Sequence, residues 1–263
     1  MQGFLIVNPR SGAGSSADEL AAEARKHGVD ARILRPGEDP SALAREADAA
    51  ALGVAGGDGS LAPVASVAVE RELPFVCVPF GTRNHFARDL GIAHPTSALS
   101  AFAAGRERRI DVGRADGRLF LNNVSFGLYA RLVHRREEHR RRRRALAGLR
   151  ALWLLLRERR PVGLVIDGEP ITARVVLVGN NGYELDLFDV GERARLDEGA
   201  LHAYLAGGWL PRTWEERVAQ EFRIEGSGPL RAAIDGEPVE LESPVELRIE
   251  PRALRVLLPE RTS

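Results

Sequence analysis

Ala51-Leu52-Gly53-Val54-Ala55-Gly56-Gly57-Asp58-Gly59-Ser60 passes without a break from an apolar run of strand length into a glycine-rich loop, and a helical stretch follows it. The same order of strand, loop and helix recurs on either side. Upstream, Phe4-Leu5-Ile6-Val7 reads as a buried strand, Asn8 to Ser16 as its loop, and Ala17 to His27 as an Ala-rich helix ended by Gly28. Ala31 to Leu34 is the next strand, and Ser41 heads another Ala-rich helix. Downstream, Pro74-Phe75-Val76-Cys77-Val78-Pro79 is a fourth strand that ends in Phe80-Gly81-Thr82-Arg83-Asn84-His85. Apolar strands alternating with helices form parallel βαβ units wound right-handed, with their loops gathered at the carboxyl ends of the strands.

Beyond Ile110-Asp111-Val112 the texture changes. Leu119 to Val124, Gly163 to Ile166, Ile171 to Val178, Ala200 to Leu205, Glu221 to Glu225 and Ala232 to Ile234 are strand candidates separated by Gly, Asp or Pro. They predict an antiparallel β module. Leu254 to Leu258 is a last strand that fits either module. A chain of 263 residues, 44% apolar and 28% charged, has the composition of a globular protein and excludes a fibrous or wholly disordered one. One cysteine, Cys77, excludes a disulfide framework and a multi-thiolate zinc site, and fits a reducing compartment. The start, Met1 to Asn8, has no basic leader before its short apolar run and reads as a first strand, not a signal peptide. The longest strongly apolar run, Ala151 to Leu156, is too short to span a bilayer. A cytoplasmic protein is expected.

Three glycine-containing loops each follow a strand. Glycine permits close backbone approach, and consecutive amides leading into a helix N-terminus form an anion site, so phosphate binding is the natural reading. Neither a Walker loop nor a well-formed Gly-x-Gly-x-x-Gly is present. Asn8-Pro9-Arg10-Ser11-Gly12, then Gly56-Gly57-Asp58-Gly59-Ser60, then Gly81-Thr82-Arg83-Asn84-His85-Phe86-Ala87-Arg88-Asp89-Leu90-Gly91, in that order, resemble the diacylglycerol kinase catalytic domain family. That family includes bacterial lipid kinases and sphingosine kinases. The likeness extends through Ile110-Asp111-Val112-Gly113, Phe120-Leu121-Asn122-Asn123, Val178-Gly179-Asn180 and Asp235-Gly236-Glu237.

The resemblance implies a Rossmann-like α/β domain followed by an antiparallel β-sandwich, with the active site in the cleft between them. The α/β ATP-binding domain would span residues 1–121 with the returning tail 251–263, and the sandwich 122–250 with a basic helical insertion near 135–160. It also implies ATP and magnesium (Mg2+) as cofactors. Asn8, Pro9, Arg10, Ser11, Gly12, Gly57, Asp58, Gly59, Ser60 and Thr82 would contact the nucleotide. Asp58 would order the phosphates or the catalytic magnesium, and Glu237 would be the general base that takes the proton of a lipid hydroxyl. The acidic loop Arg195 to Leu201 matches one that holds a structural magnesium in some bacterial members, making Glu198, then Asp197, the carboxylate ligands.

Taken as residues alone, these positions also fit plainer roles. Asp58 suits a helix cap, Glu198 a solvated turn, and His85 either a general acid or a structural histidine. Ile-Asp-Gly-Glu-Pro occurs twice, at 166–170 and 234–238, so pattern gives Glu237 no advantage over Glu169. The chain also departs from the family, with Arg83 for a glycine, His85 for an aspartate and Pro63 for a glutamate. These changes make the site more positive and leave the acceptor in question.

Net charge is zero, from 37 basic and 37 acidic residues, but the charges are segregated. Arg131 to Arg160 holds 12 arginines and 3 glutamates, nine net positive charges, so the remainder carries nine negative ones. Leu146, Leu149, Trp153 and Leu156 make a helical stripe beside them. An interfacial membrane helix and a helix packed on the β module fit this segment equally. No nucleic-acid motif accompanies it. The expected partner is a lipid substrate at the membrane surface, reached by peripheral contact through Arg131–Arg160, and a homodimer is compatible with it. A soluble-substrate kinase of the NAD kinase type shares the Gly-Gly-Asp-Gly loop, although the first and third motifs favour the lipid branch. A non-catalytic nucleotide- or lipid-binding protein is the alternative from a different class.

Overall fold

The structure is a computed structural model that describes residues 2–12, 16–81, 84–127, 162–184, 191–206 and 215–260. Two compact units divide the chain. The first comprises Met1–Val112, Ala194–Asp197 and Pro251–Ser263, and the second Gly113–Arg193 and Glu198–Glu250.

In the first unit, strands β1 (Gly3–Val7), β2 (Val29–Ile33), β3 (Ala51–Gly56) and β4 (Phe75–Pro79) are parallel and lie in the order β2-β1-β3-β4. The helices are α1 (Ala17–Lys26), α2 (Pro40–Glu46), α3 (Asp58–Glu70), α4 (His85–Asp89) and α5 (Pro95–Ala104). Every residue of β3 and β4 is buried, as strands covered on both faces require. A Cβ at Gly53 would stand 2.6 Å from the Phe102 ring, so α5 lies close on β3 only because that position lacks a side chain. Ser16 caps α1 by accepting from the Glu19 amide, and Gly28, at φ +72°, turns the chain out of it.

Strand β5 (Arg106–Ala115) leads into the second unit. There follow β6 (Arg118–Phe120), β7 (Asn123–Gly127), β8 (Val162–Ile166), β9 (Glu169–Ala173), β10 (Val175–Asn180), β11 (Leu201–Ala206), β12 (Glu215–Ala219), β13 (Glu221–Gly226), β14 (Leu230–Ile234), β15 (Glu237–Leu241) and β16 (Val245–Leu258). Six of them form an antiparallel sheet in the order β12-β11-β10-β7-β14-β15. The first part of β16 pairs antiparallel with β13, which continues through β8 to β9. Val124, Phe126, Val176 and Val178 from one layer share a core with Leu164, Ile166, Ile224 and Leu247 from the other, which makes a β-sandwich. Past Pro251, β16 runs in the first unit, where Val256 pairs with Phe75 of β4.

The strands expected at 119–124 and 171–178 are each two strands, interrupted at 121–122 and at Arg174. The first unit ends at Val112 rather than at 121, because Ala115 and Phe120 pack into the sandwich core. Strands β12 and β15 are not among those expected from the sequence. They are the two edges of the six-stranded sheet, and their Glu-rich sequences carry little apolar alternation. The basic helical insertion near 135–160 lies outside the described residues.

Candidate functional site

The loops after β1, β3 and β4 stand side by side because their strands are parallel neighbours in register, with Val7 opposite Ala55 and Gly56 opposite Pro79. Strand order reverses between β1 and β3, where α/β sheets form a ligand crevice at the carboxyl edge. Asn8 spans that point. Its Nδ2 donates to Ser60 Oγ at 2.8 Å, and its Oδ1 accepts from the Arg10 amide at 3.0 Å. The Asn8 amide donates to the Ala55 carbonyl, and its carbonyl accepts from Ser11. Asn8 therefore shapes its own loop and ties it to the next.

Asp58 opens α3, but its carboxylate turns to the neighbouring loop. Oδ2 accepts from the His85 amide and Oδ1 from the Phe86 amide, each at 3.2 Å, at the start of α4. The helix that Asp58 caps is thus α4 and not its own. Asn84 closes the third loop by accepting from the Gly81 amide at 3.1 Å and donating to the Gly81 carbonyl at 3.0 Å. A Cβ on Gly81 would stand 2.9 Å from Gly57 Cα, so the second and third loops touch backbone to backbone. The half-buried His85 ring faces Arg88, whose guanidinium can only donate, so Nδ1 accepts at 2.7 Å. Thr82 and Arg83 lie outside the described residues.

The three helix starts are not equivalent. Ser16 caps α1 and Asp58 caps α4, whereas α3 starts at Gly57 without a side-chain cap among the described residues. Its first amides and its dipole face the glycine-rich loop, which is the arrangement that receives phosphate. Behind it, burial first and the Asp58 charge second push the Cys77 thiol far up, so this cysteine is no nucleophile.

In the second unit, Asp235-Gly236 is the turn between β14 and β15, with φ of 47° and 81°. The nearly buried Asp235 carboxylate accepts from three consecutive amides, Leu121 and Asn122 at 2.8 Å and Asn123 at 3.1 Å. Exposed Glu237 follows immediately, on the edge strand. The other copy of the motif has the same backbone, but Asp167 accepts from the Arg223 amide alone among the described residues, and Glu169 pairs with Arg217 on the surface.

Asp197 lies 3.7 Å from Arg108 and 3.4 Å from Arg195. Glu198 accepts from the Gly182 amide at 3.0 Å and faces His202 Nε2 at 3.1 Å, while His202 Nδ1 meets Glu216 at 2.7 Å. A cation at these carboxylates would compete with two guanidinium groups and an imidazole. Among the described residues no group of three His, Cys, Asp or Glu is arranged to hold a metal. Sequence reasoning missed Arg193, a buried guanidinium that donates to the Leu121 and Asn180 carbonyls and to Asn122 Oδ1. No local pattern marks it, because its partners are distant in sequence.

The family model for the diacylglycerol kinase catalytic domain matches residues 2–115. A Pseudomonas aeruginosa protein named "Probable lipid kinase YegS-like" is 25% identical over 97% of this chain and 94% of its own length. A Pseudomonas fluorescens protein of the same name is 28% identical over 91% and 90%. A diacylglycerol kinase structure from Bacillus anthracis str. Sterne superposes with TM-score 0.69 at 17% identity, and another from that organism with 0.74 at 20%. Each covers 98% of this chain and 97% of the other, and at such identities the likeness shows the fold.

Proposed function

From the match of residues 2–115 to the diacylglycerol kinase catalytic domain family, we propose that this chain is a member of that family and a lipid kinase, which transfers the γ-phosphate of ATP to a hydroxyl of diacylglycerol or a related amphiphile. The observation that carries the proposal is the joining of three loops around the uncapped start of α3, through Asn8 to Ser60, Asp58 to α4, and Gly57 against Gly81. The lipid-kinase names of the curated relatives support a lipid acceptor over a soluble one.

In this reading Asn8 to Gly12, Gly57 to Ser60 and Thr82 hold the nucleotide, the amides at the start of α3 receiving its phosphates. The lipid oxygen forms its bond to the γ-phosphorus as the bond to the β,γ-bridging oxygen breaks, and the hydroxyl proton passes to the Glu237 carboxylate. In this reading Asp58, whose carboxylate also accepts from the His85 and Phe86 amides, would help hold magnesium, and the ion when bound would supply charge neutralisation. The acidic-loop resemblance alone points to a further cation at Glu198 and Asp197, and with Arg108, Arg195 and His202 at these carboxylates no step is assigned to it.

Purified protein given labelled ATP, magnesium and a lipid extract is expected to yield a labelled lipid. Glu237→Gln should lower kcat by about 10²- to 10⁴-fold, and Asp58→Ala should abolish the label. Absence of lipid label under every metal condition overturns the reading, and tight ATP binding without turnover would favour the non-catalytic alternative. Among the described residues no helix is long and apolar enough to cross a membrane. We place the protein in the cytoplasm, in peripheral contact with an anionic membrane through Arg131–Arg160. Replacing Arg140 to Arg144 with glutamine should abolish co-sedimentation with anionic vesicles, at about 1 kcal/mol per charge. Unchanged sedimentation would show that these arginines are merely solvated.

A further inference from the structure

Peptide segment 121–123 is held from both sides by buried charges. On its amide side the Asp235 carboxylate accepts from Leu121, Asn122 and Asn123. On its carbonyl side Arg193, 3% exposed, donates through one terminal nitrogen to the Leu121 carbonyl at 2.6 Å and the Asn180 carbonyl at 2.9 Å. Its other terminal nitrogen donates to Asn122 Oδ1 at 2.8 Å. The guanidinium carbon stands 5.2 Å from the centre of the Tyr183 ring. Asn180 joins the same segment, its amide to the Asn122 carbonyl and its Nδ2 to the Leu121 carbonyl.

Burying a guanidinium is costly, and an apolar side chain would fill the space more cheaply. What arginine adds is geometry, since a planar fork satisfies several carbonyls at fixed angles where a single ammonium cannot. Negative charge on the donor side and positive charge on the acceptor side polarise the Leu121–Asn122 peptide between them, so each strengthens the other's hydrogen bond. The turn fixed in this way is the one from which Glu237 emerges.

We propose that Arg193 is a positioning residue of the phosphoryl transfer: by locking 121–123 it locks Asp235, and through the Asp235-Gly236 turn it sets where the Glu237 carboxylate stands. The proposal rests on Glu237 being the base, and it predicts an effect on turnover separate from nucleotide binding, because the ATP loops belong to the first unit. The test compares full-length Arg193→Gln, Arg193→Lys and Glu237→Gln for kcat, KM for ATP, and the pH dependence of kcat.

Arg193→Gln is expected to lower kcat by about 10- to 100-fold, the effect of displacing a reacting group by about an ångström. It should leave KM for ATP nearly unchanged and displace the acid limb of the pH profile. Arg193→Lys, which keeps the charge without the fork, should fall between it and the wild type, and it decides the matter if the glutamine variant does not fold. Wild-type kcat and pH profile in folded Arg193→Gln, or in Arg193→Lys where the glutamine variant does not fold, overturn the positioning role, as does a change confined to KM for ATP. Full activity in Glu237→Gln removes the base reading instead, and the inference with it.

Discussion

Asp58 lies in the most recognisable loop of the chain, yet the helix it caps is α4, 27 positions further on. Its side chain joins the second and third loops. Gly81 has a comparable role, because no side chain fits between its backbone and that of Gly57. Gly81→Ala brings a methyl group against backbone atoms, a clash of about 1–3 kcal/mol. It is expected to raise KM for ATP about tenfold or more, with a smaller effect on the lipid KM. A steady-state assay varying each substrate checks this, and an unchanged ATP KM would show that the two loops move apart without consequence. Pro63 acts at the same scale. It has no N–H to offer the Gly59 carbonyl, so the turn of α3 behind the phosphate loop lacks one hydrogen bond.

At the scale of elements, the last strand holds the first unit together. Arg255 of β16 meets Glu107 of β5 through two hydrogen bonds, of 3.0 and 2.7 Å, and donates to the Glu72 carbonyl at 2.8 Å. The hydrogen bond from Arg255 holds the Glu107 carboxyl below its usual value, opposed next by desolvation and assisted by the charges of Arg255 and Arg109. A carboxyl lowered in the folded state contributes stability above its unfolded value, near 4.5, and loses it as pH falls through the lower folded value. Glu107→Gln should therefore cost about 0.5 kcal/mol at neutral pH, the scale of a solvent-screened pair, and the difference from wild type should vanish in acid. Urea titrations at neutral pH and below pH 4, roughly the protonated limit, check the sign, and a difference that persists in acid would refute the assignment. The edge strands β12 and β15 show the converse. Among the described residues each pairs on one side only, and neither could be read from apolar alternation.

For the whole molecule, the parallel sheet, its first three helices and the three loop motifs were legible because each is written within about a dozen neighbouring residues. Strand-length apolar runs, glycine-rich loops and a cap such as Ser16 on its own helix are local facts. So was the change to antiparallel strands after Val112, although the unit boundary lies there and not at 121 because Phe120 packs in the sandwich core. The two Ile-Asp-Gly-Glu-Pro copies mark the limit of such reading. They share sequence and turn conformation, with Asp167 at φ 51° and Asp235 at 47°. Only the tertiary structure separates them, by placing around Asp235 three amides from 112 to 114 positions earlier and by burying Arg193 against the same segment. Turn geometry is fixed by torsions within the turn, whereas a carboxylate's partners depend on which distant backbone the fold brings within hydrogen-bond range. The sequence by itself therefore determined the architecture and the order of the three glycine-containing loops, and folding alone decided which acidic turn is anchored by buried charge.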